Sequence, residues 1–239
     1  MTIRIAMWSG PRNISTAMMR AWESRADCAV MDEPFYAAYL AETGKAHPIR
    51  EAVLAAHETD WAACARACAE ADAAPVVFQK HMVTHMVPAA PTAWMAACAH
   101  AFLIRPPEEV APSFFRGWPG AGVEDLGFHR QAALFETVRG MTGRVPPVIA
   151  ARDVQSDPER ALAALCAALG VAFDPAMLAW APGPRESDGV WAAHWYAAVQ
   201  ASTGFAPPRP AEPVPPELEE VVSACRPAYA ALAAHALTV

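Results

Sequence analysis

Near the N-terminus, an apolar run gives way to Ser9-Gly10-Pro11-Arg12-Asn13-Ile14-Ser15-Thr16 and then to a helical pattern. Gly10 permits a tight turn, and Arg12 brings a fixed positive charge. Asn13, Ser15 and Thr16 add side-chain donors beside the free N–H groups of the helix that follows. That combination suits an anion, phosphate above all. The same residues also make an ordinary helix N-cap carrying an exposed arginine. The triphosphate pattern GxxxxGK[ST] is not met: counting from Gly10, Ser15 stands at the second glycine and Thr16 at the lysine. The missing lysine removes the clamp on β- and γ-phosphates, which argues against ATP or GTP hydrolysis and leaves phosphate binding in place.

Other residues carry chemistry further along. Arg105 closes an apolar run, and Ser113 follows eight positions later on a helical pattern. An arginine fork and a hydroxyl can converge there on one phosphate. Asp32-Glu33-Pro34-Phe35-Tyr36 ends another run, which puts carboxylates beside the first loop; a solvated carboxylate before a proline turn reads the same way. Lys80, one of two lysines in the chain with Lys45, ends a third run beside His81, with His85 four residues beyond His81. His81 and His85 have the i, i+4 spacing of zinc ligands, but no third ligand accompanies them. Cys64 and Cys68 likewise lack a second pair, so no metal is expected and the six cysteines read as free buried thiols.

The loop Pro11-Arg12-Asn13-Ile14-Ser15-Thr16 resembles the sulfotransferase family's Pro-(Lys/Arg)-Ser-Gly-Thr-Thr at the proline, the basic residue and the two final hydroxyls. It departs from that pattern at Asn13 and Ile14. The resemblance implies that Gly10, Pro11, Arg12, Asn13, Ile14, Ser15 and Thr16 hold the 5′-phosphosulfate of PAPS (3′-phosphoadenosine 5′-phosphosulfate), with Arg12 stabilising charge on the bridging oxygen. It makes Arg105 and Ser113 the 3′-phosphate site. Residues 148–174 are similar to the strand, helix and Leu-Gly turn that follow in the family. Residues 180–205, with Gly183-Pro184-Arg185 and Asp188-Gly189-Val190-Trp191, are similar to its C-terminal loop covering the nucleotide, which makes Arg185 a further phosphate contact. Glu33 corresponds to the glutamate base of members acting on sugars. Lys80-His81 is similar to a Lys-x-His at the third strand end, so Lys80 would neutralise sulfonate oxygens, and His81 or His85 could serve as base instead of Glu33. The implied activity is sulfuryl transfer from PAPS to a hydroxyl or amine of a small molecule or carbohydrate. Two alternatives stay open: a nucleotide-kinase-like phosphotransferase, disfavoured by the loop, and a sulfotransferase-like module that binds nucleotide without turnover.

Such residues need a sheet to position them. Strand-like runs at 3–8, 28–31, 75–79, 101–105 and 147–151 alternate with helical patterns at 14–25, 61–71, 107–115, 126–141 and 158–169. This predicts an α/β fold, a doubly wound parallel sheet flanked by helices, of the P-loop kind. Asp157-Pro158 and Leu169-Gly170 mark the start and stop of the last of those helices. Residues 180–205 read as an ordered loop leading into a short helix, residues 206–216 as proline-rich extended chain, and the rest from about Glu217 as an amphipathic helix. At 239 residues, 54% hydrophobic and 18% charged, the chain reads as one folded domain spanning 1–239. A net charge of −7 argues against a nucleic-acid or anionic-membrane binder. Proline and histidine interrupt the apolar stretch 87–104, so no membrane span is expected, and the N-terminus lacks a secretory pattern, which makes a cytoplasmic location the expectation. Tyr36, Tyr39 and Trp118 suit an apolar or sugar-stacking acceptor wall or the core, and a homodimer is compatible with the sequence.

Overall fold

The computed structural model describes residues 2–210 and 213–239. Apolar runs without polar alternation have to be covered on both faces, and here they become five parallel strands. These are β1 (Ile3–Ser9), β2 (Cys28–Asp32), β3 (Val76–Met82), β4 (Ala99–Ile104) and β5 (Val148–Ala150), in the order β2-β3-β1-β4-β5. The expected α/β doubly wound sheet is the observed fold. The chain leaves β1 toward one edge and β4 toward the other, so the C-terminal ends of these neighbours flank the crevice where open α/β sheets take ligands.

Eleven α-helices accompany the sheet among the described residues: α1 (Ser15–Glu23), α2 (Tyr36–Thr43), α3 (Arg50–Ala56), α4 (Trp61–Glu70), α5 (Pro107–Gly117), α6 (Phe128–Thr142), α7 (Ala151–Ser156), α8 (Pro158–Leu169), α9 (Ala192–Trp195), α10 (Ala197–Gln200) and α11 (Glu219–Ala233). Asp157 caps α8 by accepting from the Arg160 N–H at 3.1 Å, and Gly170 ends it in the left-handed region at φ 72°. The sequence pattern misses α2, α3 and α7, each eight residues or fewer and too short for a clear 3.6-residue period. Of the proline-rich stretch 206–216, residues 211 and 212 lie outside the described residues. Among the described residues no helix is long and apolar enough to cross a membrane.

The sheet divides the core in two. Ile5, Met7, Phe78 and Leu103 pack on one face with Met18, Trp22, Leu162 and Leu165, while Ala6, Trp8 and Phe102 pack on the other with Phe35, Trp94 and Phe135. Successive residues of a strand face opposite sides. Lys80 therefore lies on the Phe78 side of β3 and His81 on the Trp8 side. His81 stacks on Trp8 with centroids 4.5 Å apart, bonds Gln79 Oε1 at 3.1 Å, and belongs to this second core.

Burial pushes the His81 pKa down from 6.5 to about 3, with His100 and Lys80 adding repulsion. The unfolded chain binds a proton near 6.5 that the folded one refuses, so stability is complete above that value and is lost as pH falls toward 3. Denaturant titrations should show this histidine removing about 2 kcal/mol between about pH 7.5 and about pH 5. His81→Phe, which keeps a ring against Trp8, should flatten that slope by about the same amount; equal slopes in the two proteins would contradict the assignment.

Candidate active site

A cavity of about 640 Å³ opens at the C-terminal ends of β1 to β4. Its first wall is the loop after β1. Arg12 and Ile14 both adopt the left-handed region, at φ 58° and 50°, which is rare for a non-glycine residue and rarer for a β-branched one. Tertiary contacts hold them there. Asn13 donates through Nδ2 to the Leu103 carbonyl of β4 at 2.7 Å, Gln131 of α6 donates to the same carbonyl at 2.9 Å, and Ile14 packs on the core. Gly10 is needed for closeness: a Cβ there would stand 2.9 Å from the Leu126 carbonyl oxygen. The loop delivers the chain to the start of α1, whose first turn has no side-chain cap and no acidic residue. Ser15, Thr16 and Ala17 of that turn line the cavity, where free N–H groups and hydroxyls suit an anion.

The strand-end arginine comes to the same place. Arg105 Nη1 donates to the Arg12 carbonyl at 3.0 Å, and Arg12 Nε donates to Ser113 Oγ of α5 at 3.0 Å. Arg105 also pairs with Glu109 at 2.9 Å, whereas Arg12 has no carboxylate within ion-pair distance among the described residues. Burial lowers the Arg12 pKa, and Arg105 and Arg116 lower it further by repulsion. Arg116 and Arg209 also line the cavity. The loop, Arg105 and Ser113, distant in sequence, thus meet as one cationic wall.

A second wall surrounds Lys80. Asp32 and Lys80 are paired across β2 and β3, and Glu33 follows at φ 45°, another left-handed residue, fixed by its N–H to the Lys80 carbonyl at 2.9 Å. Lys80 Nζ donates to Asp32 Oδ1 at 2.9 Å, to Tyr196 Oη at 2.8 Å and to Glu33 Oε1. Burial by itself would lower the Lys80 pKa, but Asp32 and Glu33 outweigh it and hold the ammonium well above its ordinary value. Burial raises the Glu33 pKa against the attraction of Lys80, with Asp32 adding repulsion. Glu33 is thus a carboxylate with heightened proton affinity on a cavity wall.

Aromatic rings complete the lining. His85 lies between Tyr36 and Tyr39, with centroids 4.7 and 4.8 Å away, and its Nε2 is 3.8 Å from Glu33 Oε2, beyond hydrogen-bond range. Burial holds the His85 pKa well below 6.5, so the ring is neutral. His47, pushed down to about 4 by burial, takes a 2.8 Å hydrogen bond with Tyr36 and meets Trp118 edge-on at 4.6 Å. Trp195 contributes another ring to the cavity.

Three expected roles change. His81 faces the opposite side of the sheet, as the strand period requires, and lies off the cavity, so its place as a base is withdrawn. Arg185, expected as a phosphate contact, lies outside the cavity lining; its Nη2 donates to the Ala181 carbonyl at 2.6 Å and its Nε is 3.7 Å from Glu23. Lys80 borders the cavity with all three N–H bonds directed to protein oxygens, which takes it out of the sulfonate-binding role. Pro11 to Thr16, Arg105, Ser113 and Glu33 all line the cavity, and Gly10 shapes the loop beneath them. The sequence does not single out Tyr196 and Trp195, which lie in the 180–205 loop beyond the residues that carry its resemblance, or His47, which lies in irregular chain after α2. Among the described residues no cluster of three or more His, Cys, Asp or Glu has metal-binding geometry.

A family model described as a sulfotransferase domain matches residues 3–236. Two similar curated proteins come from Arabidopsis thaliana. Branched-chain-amino-acid aminotransferase-like protein 1 is 35% identical over 206 residues, covering 86% of this chain and 37% of that protein. Branched-chain-amino-acid aminotransferase-like protein 2 is 33% identical over 233 residues, covering 97% and 41%. The chain therefore spans about two fifths of the length of these relatives. Among solved structures, a sulfotransferase from Alicyclobacillus acidocaldarius superposes with a TM-score of 0.57 at 14% identity, covering 100% of this chain and 98% of the other. The sulfotransferase domain from the curacin biosynthetic pathway does so at 0.52 and 15%, covering 95% and 98%. At these identities the likeness is one of fold. With a family match running nearly end to end and a parallel sheet of the matching architecture, the chain belongs to the sulfotransferase domain family.

Proposed function

We propose that the protein transfers a sulfuryl group from PAPS to a hydroxyl or amine of a small molecule or carbohydrate. The observation that carries this reading is the meeting of Arg12, Arg105 and Ser113 beside the open N-terminus of α1, a donor set suited to more than one anionic group. The residues present fit a nucleotide with phosphates at both ends. The Gly10–Thr16 loop and the first turn of α1 would hold the 5′ end, Arg105 and Ser113 the 3′-phosphate. When bound, PAPS supplies a sulfuryl group already activated by a phosphate leaving group.

The chain's own work is then electrostatic and positional. The guanidinium of Arg12 neutralises charge that grows at the 5′ end, where its own proton is secure even after burial lowers its pKa. The uncapped N–H groups of α1 add partial positive charge without needing to reorganise. Glu33 takes the proton of the acceptor through Oε2, the oxygen left without a hydrogen bond once Lys80 holds Oε1. Neutral His85 faces the same oxygen and suits a donor or acceptor role toward an acceptor hydroxyl, and the rings of Tyr36, Tyr39 and Trp118 supply the apolar wall.

Calorimetry tests the nucleotide half of the reading. The loop without its lysine predicts that 3′,5′-bisphosphoadenosine binds without added metal and better than ATP with Mg²⁺; the reverse order would overturn the reading. Arg12→Ala and Arg105→Ala should each weaken that binding by roughly 1.5–3 kcal/mol, about 10- to 150-fold. Release of the bisphosphate from PAPS in the presence of a panel of alcohols and amines tests transfer. Glu33→Gln should leave nucleotide affinity unchanged and slow turnover by about 100-fold or more, and an unchanged rate would move the base to His85.

A further inference from the structure

The buried cluster behind Glu33 holds more groups than a base needs. Lys80, 1% exposed, has its three N–H bonds directed to Asp32 Oδ1, Glu33 Oε1 and Tyr196 Oη. The direction of the ammonium is therefore set by where Asp32 and Tyr196 sit. Tyr196 Oη lies 2.8 Å from both Asp32 oxygens, to which it donates, and accepts from Lys80 and from Trp191 Nε1 at 3.0 Å. Asp32 Oδ2 also accepts from Trp191 Nε1 at 3.0 Å and from the Gly189 N–H at 3.2 Å. In this network every donor has an acceptor and Asp32 is saturated. Glu33 Oε2 is the carboxylate oxygen left over, 3.8 Å from His85 Nε2, and both residues line the cavity.

The phenol that closes the network arrives from far along the chain. Tyr196 lies between α9 and α10, in the segment whose Trp195, Val199 and Ser202 wall the cavity. The front of that segment is clamped to α1 by a buried pair, Arg20 Nη2 to Asp188 at 2.6 and 2.7 Å. One hydroxyl thus joins the C-terminal wall to the base.

Building on the sulfotransferase reading above, we propose that Tyr196 is a positioning residue for the reaction: its hydroxyl, fixed by Asp32 and Trp191, aims the Lys80 ammonium so that Glu33 presents a free carboxylate oxygen to the acceptor. The groups facing Glu33 are Lys80 and Asp32 from the sheet, His85 from the turn after β3 and Tyr36 from α2. His85 is neutral and Tyr36 protonated, so Lys80 is the cation that governs the charge on Glu33. Removing the Tyr196 hydroxyl leaves Asp32 short of a donor and Lys80 short of an acceptor. The ammonium then settles on Asp32 and turns away from Glu33, whose affinity for a proton rises.

Tyr196→Phe keeps the ring and removes only the hydroxyl. In ligand-free protein carrying ¹³C-labelled glutamate, with the Glu33 carboxyl signal assigned by its loss in Glu33→Gln, the Glu33 midpoint should move up by about half a pH unit or more. Affinity for 3′,5′-bisphosphoadenosine should stay within about threefold, while turnover at pH values below the wild-type Glu33 midpoint falls by the factor the midpoint shift sets, about threefold for half a pH unit and about tenfold for a full unit, at unchanged KM for PAPS, and recovers as pH rises above both midpoints. Trp191→Phe, which removes one donor to the same hydroxyl, should shift the midpoint in the same direction by less, and it decides the matter if Tyr196→Phe does not fold. An unmoved Glu33 midpoint overturns the proposal. Failure of the wild-type protein to bind the bisphosphate or to release it from PAPS would instead sink the sulfotransferase reading, and the carboxyl titration would still report whether Tyr196 sets Glu33.

Discussion

Repulsion between guanidinium groups is the constraint on which the site depends. Arg12 and Arg105 are drawn together by a hydrogen bond between the side chain of one and the carbonyl of the other, and Glu109 pairs with Arg105, whereas no carboxylate among the described residues pairs with Arg12. Burial makes the arrangement costly to Arg12, and the neighbouring arginines add to that cost. A folded protein retains such an arrangement where an anion can relieve it, and the open first turn of α1 points to the same kind of ligand. The rest of the crevice follows from holding these cations in place: Asn13 and Gln131 converge on the Leu103 carbonyl, and Ile14 accepts an unfavourable backbone conformation so that the loop can turn into α1.

The other end of the cavity follows a different logic, in which a cation is fully compensated. Lys80 is buried between Asp32 and Glu33, and a pair of this kind is stable only when its remaining hydrogen-bonding capacity is met. Tyr196, Trp191 and the Gly189 N–H meet it on the Asp32 side. Asymmetry between the two carboxylates results: Asp32 is locked into structure, whereas Glu33 keeps one oxygen without a hydrogen bond among the described residues, the oxygen to which we assign the acceptor's proton. Two neighbouring acidic residues of similar intrinsic acidity thereby take different roles.

Much of this was legible in the sequence, for reasons that differ by residue. The strands stood out because their apolar runs are buried on both faces along most of β1, β3 and β4, with the edge strand β2 half-buried, and Arg12, Arg105, Ser113 and Glu33 stood out because they follow strand ends, where a parallel sheet collects its ligand contacts. His81 was misplaced although the information was present: strand alternation allows only one of two adjacent residues to face the site, and Lys80 takes that place. Arg185 was misplaced because a basic residue in a loop has no period to fix its direction, and the backbone carbonyl it bonds belongs to its own segment. Tyr196 and His47 were illegible for the opposite reason, since their roles arise only when segments more than 100 residues from β3 or from irregular chain after α2 fold onto the sheet. Short helices such as α2 and α3 escaped because seven or eight residues hold too few turns to reveal a face.

If one nucleotide bridges the loop after β1 and the end of β4, a crystal structure of the protein with 3′,5′-bisphosphoadenosine will show it. The expected density places the 5′-phosphate against the N–H groups that open α1 and the 3′-phosphate between Arg105 and Ser113. Density for the ligand away from both arginines, or gripped by one phosphate with the other free in solvent, would contradict it.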